Sequence, residues 1–203
     1  ASRGPLVLTV HQSLPAHSVK DLVAWAKANP GKLNFASFGT GTSSHIYAEA
    51  FAKAVGIDVV HVPYKGTADA ARDLLEGRVQ AYFDAAPTAI QNAATGRIRI
   101  LAVAAPRRMA PMNDVPTFTE LGVPGMAFSN WFGFFAPAGT PAEVVQRANR
   151  ELNALMRSPE VVERLRQLGA DAVSGTPEAF AKGVRDELDS WKAVIQRAGI
   201  KAE

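Results

Sequence analysis

The sequence predicts an α/β fold built on a mainly parallel sheet, and three observations carry that expectation. Short apolar runs alternate with segments of helical period from Leu6 to Ala104. Helix-stopping residues close these segments, as at Asn29-Pro30-Gly31, Gly77 and Gly96. The 203 residues are 47% hydrophobic and 20% charged, which suits a folded globule and excludes a disordered chain.

The elements follow in order. Leu6 to Val10 is a β-rich run. Ser18 reads as an N-cap with Asp21 three residues on, opening a helix that carries Leu22, Val23, Trp25 and Ala26. Leu33 to Ser37 reads as a strand that runs into a Gly/Thr/Ser loop and a helix from about His45 to Val55. The unit repeats with a strand at 59–62 and helix at 68–76, then a strand at 79–83 and helix at 88–95, and a fourth strand at 98–104. In such sheets ligands sit outside the carboxyl ends of the strands, and the three connecting loops all fall at that edge. After Ala105 the pattern changes. Residues 118–121 suggest a short helical turn and 128–136 an aromatic strand. Helices follow at 141–156, 159–168 and 177–198, with one short strand at 172–174.

Lys and Arg number 22 against 19 Asp and Glu, a net charge of +3 with no basic block, so nucleic acid is not the expected partner. The small excess suits an anion. The chain has no cysteine, which excludes disulfides, Cys-ligated metal and a Cys nucleophile. No stretch reaches the ~18 apolar residues of a membrane span. Ala1 to Val10 lacks the basic start and apolar run of a signal peptide.

Gly39-Thr40-Gly41-Thr42-Ser43-Ser44-His45 is the most informative stretch. Its glycines permit a tight turn, its hydroxyls can donate, and the helix behind it presents unpaired N–H groups. It reads equally as an ordinary N-cap and as a cradle for carboxylate or phosphate. It fits neither the dinucleotide pattern, since Ser44 stands in place of the third glycine, nor the P-loop. Tyr64-Lys65-Gly66-Thr67 repeats the logic, with Thr67 expected to cap the next helix. Asp84 ends a strand and is expected to point into the same crevice. The four histidines, His11, His17, His45 and His61, show no metal-ligand spacing, and no metal or cofactor is expected. No nucleophile elbow occurs. The aromatic run Trp131, Phe132, Phe134 and Phe135 reads as core or crossover packing.

Leu14-Pro-Ala-x-Ser18, Pro30-Gly-Lys-Leu-Asn34, the loop ending in Ser44-His45, and His61-Val-Pro-Tyr-Lys-Gly66 occur in an ordered set with Phe83-Asp84, Asp114-Val-Pro-Thr117, Trp131-Phe-Gly133, Ala136-Pro-Ala-Gly-Thr-Pro141 and Trp191. Over essentially its whole length the chain resembles the substrate-binding receptors of the tripartite tricarboxylate transporter family, the Bug (TctC-like) proteins. The resemblance implies a periplasmic-binding-protein (Venus-flytrap) fold with one complete parallel-sheet lobe and the helical C-terminal part of the other. Residues 10–125 correspond to the second lobe. Residues 1–9 and 126–203 correspond to crossover strands and the returning part of the first. It implies no catalysis, a periplasmic location, a small carboxylate ligand (a di- or tricarboxylate, an acidic amino acid or an aromatic acid) and membrane permease subunits as partners. Gly39, Thr40, Gly41, Thr42, Ser43, Ser44, His45, Tyr64, Lys65, Gly66, Thr67 and Asp84 match cleft-lining positions.

The family's leading segment, which supplies the first βα units of the first lobe, has no counterpart here, and Ala85 stands where the family often has a polar residue. The helices at 141–156 and 177–198 are therefore expected to lack part of their packing partner. That predicts self-association of the chain, or disorder of that region. Two other readings compete: the effector-sensing domain of a regulator, which needs a helix-turn-helix not visible here, and an α/β enzyme, which needs a nucleophile–base pair or a cofactor loop.

Overall fold

The computed structural model describes residues 2–123, 125–126 and 130–198. In chain order the elements are β1 (Ser2–Gly4), β2 (Leu6–His11), α1 (Val19–Ala28), β3 (Asn34–Ser37), α2 (Ser43–Val55), β4 (Val60–Pro63), α3 (Thr67–Leu75), β5 (Ala81–Ala85), α4 (Ala86–Ala93) and β6 (Ile98–Val103). Then come β7 (Asn130–Phe132), α5 (Ala142–Arg157), α6 (Pro159–Gln167), β8 (Asp171–Ala172) and α7 (Pro177–Ala198).

The strands form two sheets, a five-stranded one in the order β4-β3-β5-β2-β6 and a three-stranded one in the order β7-β1-β8. β3, β4 and β5 run parallel, as expected. β6 points the same way, and β2 does not: it lies antiparallel to both β5 and β6, so the sheet is mainly parallel with one reversed strand inside it. Leu6, Val7, Leu8, Thr9 and Val10 are all buried, the pattern of a strand covered on both faces. Thr9 satisfies its hydroxyl there by donating to the Tyr82 carbonyl at 2.8 Å. The large sheet thus begins at Leu6, ahead of the boundary at residue 10 read from the sequence. Pro5 alone links it to β1 in the small sheet.

One face of the large sheet packs on α1 and α2. Phe35 and Phe83 stack at 5.6 Å between ring centroids, and Phe51 and Tyr47 of α2 close on Phe83. The other face receives Ala70 and Leu74 of α3 against Tyr82 and Ile98, and Ala86 and Ala89 of α4 against Val7 and Val103. α1 starts as read from the sequence: the Asp21 N–H donates to Ser18 Oγ, and the Asp21 carboxylate accepts from the His17 N–H. α3 does not. Its N-cap is Gly66, and Thr67 is already the first helical residue.

The remainder is thinly packed. α5 and α6 bury no residue. The expected strand over 128–136 contracts to β7, its first part falling among residues 127–129, outside those described. Phe132, Phe134 and Phe135 are exposed, so the aromatic run does not form a core within the described residues. Residues 118–121 form a turn rather than helix. α7 returns to α2, where Trp191 packs on Tyr47.

Candidate functional site

Because β3, β4 and β5 are parallel, the loops after them share one sheet edge, and the N-terminus of α2 opens there on a pocket of about 360 Å³. Gly41, Ser43 and Ile46 form its floor, and Asn130 and Trp131 of β7 form one side. Val184, Glu187, Leu188, Trp191 and Ile195 of α7 form the other.

Gly41 has φ +76°, a left-handed conformation costly for a residue with a Cβ. It turns the chain so that Thr42 becomes the N-cap. Thr42 does not cap: its hydroxyl donates backward to the Gly39 carbonyl at 2.6 Å. With no cap bond from Thr42, and none to the first turn of α2 from another side chain among the described residues, its N–H groups stay available to a ligand atom, aided by the helix dipole. Ser43 Oγ accepts from Asn130 Nδ2 at 3.4 Å and keeps its own proton to donate. Trp131 donates its indole N–H to Glu187. The walls are otherwise apolar, and no Lys or Arg lines the pocket among the described residues.

Of the twelve residues singled out from the sequence, Gly41 and Ser43 line this pocket. Ser44 sits one position further round the helix, buried, and donates to the Phe83 carbonyl at 2.9 Å. His45 is also buried, and its Nδ1 accepts from the Gly41 N–H at 3.1 Å. Gly39 is engaged at both ends of its peptide by the Ser37 hydroxyl, and Thr40 is exposed. Tyr64 donates its phenol to Asp73 at 2.8 Å, away from the pocket, and the Asp73 carboxylate pushes its pKa up to about 12 together with burial, the larger cause. Lys65 and Thr67 are exposed, and Gly66 serves as the N-cap of α3.

Asp84 is fully buried and does not enter the crevice. Strand alternation explains it. Phe83 faces α2, so Asp84 shares the opposite face with Tyr82. Asp84 Oδ1 accepts from the Ala85 N–H at 2.7 Å, while Oδ2 and the Tyr82 hydroxyl lie buried without a well-aligned hydrogen bond. Burial pushes the Asp84 carboxyl up to about 7, against the opposing pull of the Ala85 N–H. The described residues contain no group of three or more potential metal ligands.

Asn130, Glu187 and Leu188 were not among the residues singled out. They lie far along the chain from Ser43, and no local pattern ties them to it. The tryptophans at 131 and 191 did carry a signal, as motif residues whose place in the fold had no pocket assigned.

Residues 1–200 match the family described as tripartite tricarboxylate transporter family receptor. A UPF0065 protein in the tcbD-tcbE intergenic region of Pseudomonas sp. strain P51 is 39% identical over 199 residues, covering 98% of this chain and 59% of the relative. The chain thus spans about three fifths of that curated relative's length. Rpa4515 of R. palustris, solved with adipate, superposes with a TM-score of 0.95 at 37% identity, covering 98% of this chain and 67% of that one. The periplasmic binding protein BugD superposes at 0.92 with 31% identity, covering 100% of this chain and 68% of its own.

Proposed function

The chain belongs to the tripartite tricarboxylate transporter receptor family, and from that premise we propose that the pocket at the N-terminus of α2 holds a carboxylate group of a small organic acid. The family is one of periplasmic solute-binding receptors, not of enzymes. The observation that carries the reading is the uncapped first turn of α2, opening on a cavity beside Gly41 and Ser43. A hydrogen bond to a charged group contributes about 1.5–3 kcal/mol. A helix dipole adds about 0.3–2 kcal/mol. The N–H groups of α2 and the Ser43 hydroxyl therefore suffice to hold one carboxylate without a lysine. The adipate in the R. palustris structure supports a carboxylate at the helix end, though not the diacid's second carboxylate, which Glu187 disfavours in this chain.

The far end of the ligand meets Trp131, Leu188, Trp191 and the acid Glu187. A second carboxylate placed there would face like charge. The site therefore favours an acid whose far end is apolar or donates hydrogen bonds. The large sheet with α1–α4 acts as the second lobe, and β1 with residues 126–203 as the returning part of the first. Such a receptor hands its ligand to membrane permease subunits from the periplasm. Among the described residues no helix is long and apolar enough to cross a membrane.

Calorimetry with adipate, citrate, glutamate and benzoate tests the proposal. At least one acid binds, Ser43→Ala weakens it about tenfold or more, and Glu187→Gln shifts preference toward the diacids. Binding unmoved by Ser43→Ala removes this pocket from the site.

A further inference from the structure

Two imidazoles lie beneath the loop that forms the pocket floor. His45 comes from the first turn of α2 and His61 from β4. Their rings are stacked, with centroids 3.7 Å apart and planes within 6°. Each ring holds a different part of the loop. His45 Nδ1 accepts from the Gly41 N–H at 3.1 Å. His61 Nε2 lies 2.6 Å from Ser37 Oγ, and that hydroxyl reaches both the Gly39 carbonyl, at 3.1 Å, and the Gly39 N–H, at 3.2 Å. The pair is thus joined to the loop on either side of Thr40.

We propose that His45 and His61 are positioning residues, a stacked neutral pair that keeps Gly41 and the start of α2 in binding geometry and releases them when a ring gains a proton.

The geometry demands a neutral His45 and disfavours two charges on the pair. Nδ1 of His45 can accept from Gly41 only while it carries no proton; protonated, it would present an N–H to an N–H. A charge on either ring would also lie within 4 Å of the other, opposing a second charge. Burial, and then the neighbouring His45, hold the His61 imidazole down to about 4. Among the described residues Glu49, on the next turn of α2, puts a carboxyl group against the pair, with Oε1 3.7 Å from His45 Nε2. It meets the Nε2–H of the tautomer in which Nδ1 accepts. The contacts from β3, through Ser37, and from the loop, through Gly41, are uncharged. Such a pair makes the pocket floor responsive to acid although neither ring lines the pocket.

Two arms test this, and only the second depends on the carboxylate reading above. The first uses no ligand. Amide and imidazole NMR is followed from about pH 8 to about pH 4.5, and Gly41 exchange is compared at neutral pH in His45→Ala and His45→Asn. The Gly41 amide should shift and exchange faster in step with an imidazole titration. His45→Ala should speed its exchange about tenfold or more, and Asn, whose Oδ1 can replace Nδ1 as acceptor, should restore protection. A Gly41 amide that stays protected in His45→Ala, or while either ring titrates, overturns the proposal.

The second arm measures adipate and benzoate binding at about pH 7.5 and pH 5. The ligands' own protonation is common to both proteins, so the difference between them isolates the pair. The parent should lose more affinity than His45→Asn. Equal losses overturn the acid response. If neither acid binds at the higher pH, the carboxylate reading fails for those acids, and the Gly41 arm still decides the role of the histidines.

Discussion

Phe83 and Phe132 are both aromatic residues on β-strands, yet the first is wholly buried and the second is 66% exposed. The same contrast runs through the helices. α2 buries Tyr47 and Phe51 on the large sheet, while α5, with apolar residues at helical spacing such as Val144 and Leu155, buries none. An apolar stripe records that a helix has a face to cover; it does not record what covers it. In the large-sheet half the cover is supplied by strands of the same chain. In the helical half the described residues supply it at few points, among them the packing of Phe180 on Trp131 and of Trp191 on Tyr47.

The largest expected effect breaks or upholds this contrast directly. Phe83→Ala should cost about 3–5 kcal/mol in urea unfolding, and Phe132→Ala no more than about 0.5 kcal/mol. A comparable loss at Phe132 would mean that it is covered in solution. Self-association is the cover expected from the sequence, and light scattering with a concentration-dependent Tm would reveal it.

Next comes the buried acid of the large sheet. The Asp84 carboxyl is raised from 3.8 to about 7, so its contribution is fully present below about pH 3.8 and is lost as pH rises through about 7. Asp84→Asn keeps the acceptor for Ala85 and should stabilise the protein by about 2–4 kcal/mol at pH 8, with little change at pH 4. His61 has the opposite sign. Its imidazole is depressed, so the folded state resists protonation and loses stability as pH falls from about 6.5 toward 4. Thermal melts across pH for Asp84→Asn and His61→Gln would separate the two.

Two adjacent hydroxyls sharpen the comparison further. Ser44→Ala leaves the Phe83 carbonyl without its side-chain partner and should cost about 1–3 kcal/mol of stability with affinity kept. Ser43→Ala should do the reverse. The smallest effect belongs to the helical half. Glu163 is held down to about 2 by hydrogen bonds from Arg166, but the pair lies at the surface, and Glu163→Gln should leave the unfolding midpoint unchanged. A clear drop would show that α6 is covered.

Much of the large sheet was legible in the residues. The cap at Ser18, the alternation of strand and helix, and the gathering of three loops at one edge all follow from local patterns. The direction of β2 did not. Its two apolar faces show that it lies inside a sheet, but an apolar run is the same read toward either end. The site was legible only in its loop. Whether a hydroxyl meets the pocket or the core is settled by one step of helix phase, which separates Ser43 from Ser44. Tyr64 looked available because Asp73, which takes its phenol, lies on the following helix. Asn130 and Glu187 reach the loop only through tertiary packing.

The place of β2 has a consequence for synthesis. This strand leaves the ribosome before either of its neighbours exists. Thr9 finds the Tyr82 carbonyl 73 residues later, and β6 is made later still. Until then Leu6 to Val10 is a nascent segment, apolar on both faces and unable to pair with its own sheet, and such segments are prone to the wrong contacts. The early helix α1 and the β3-α2 unit can form behind it, but the sheet cannot close until the chain has come round to residue 103. Folding of this half is therefore paced by a long-range closure rather than by its local elements.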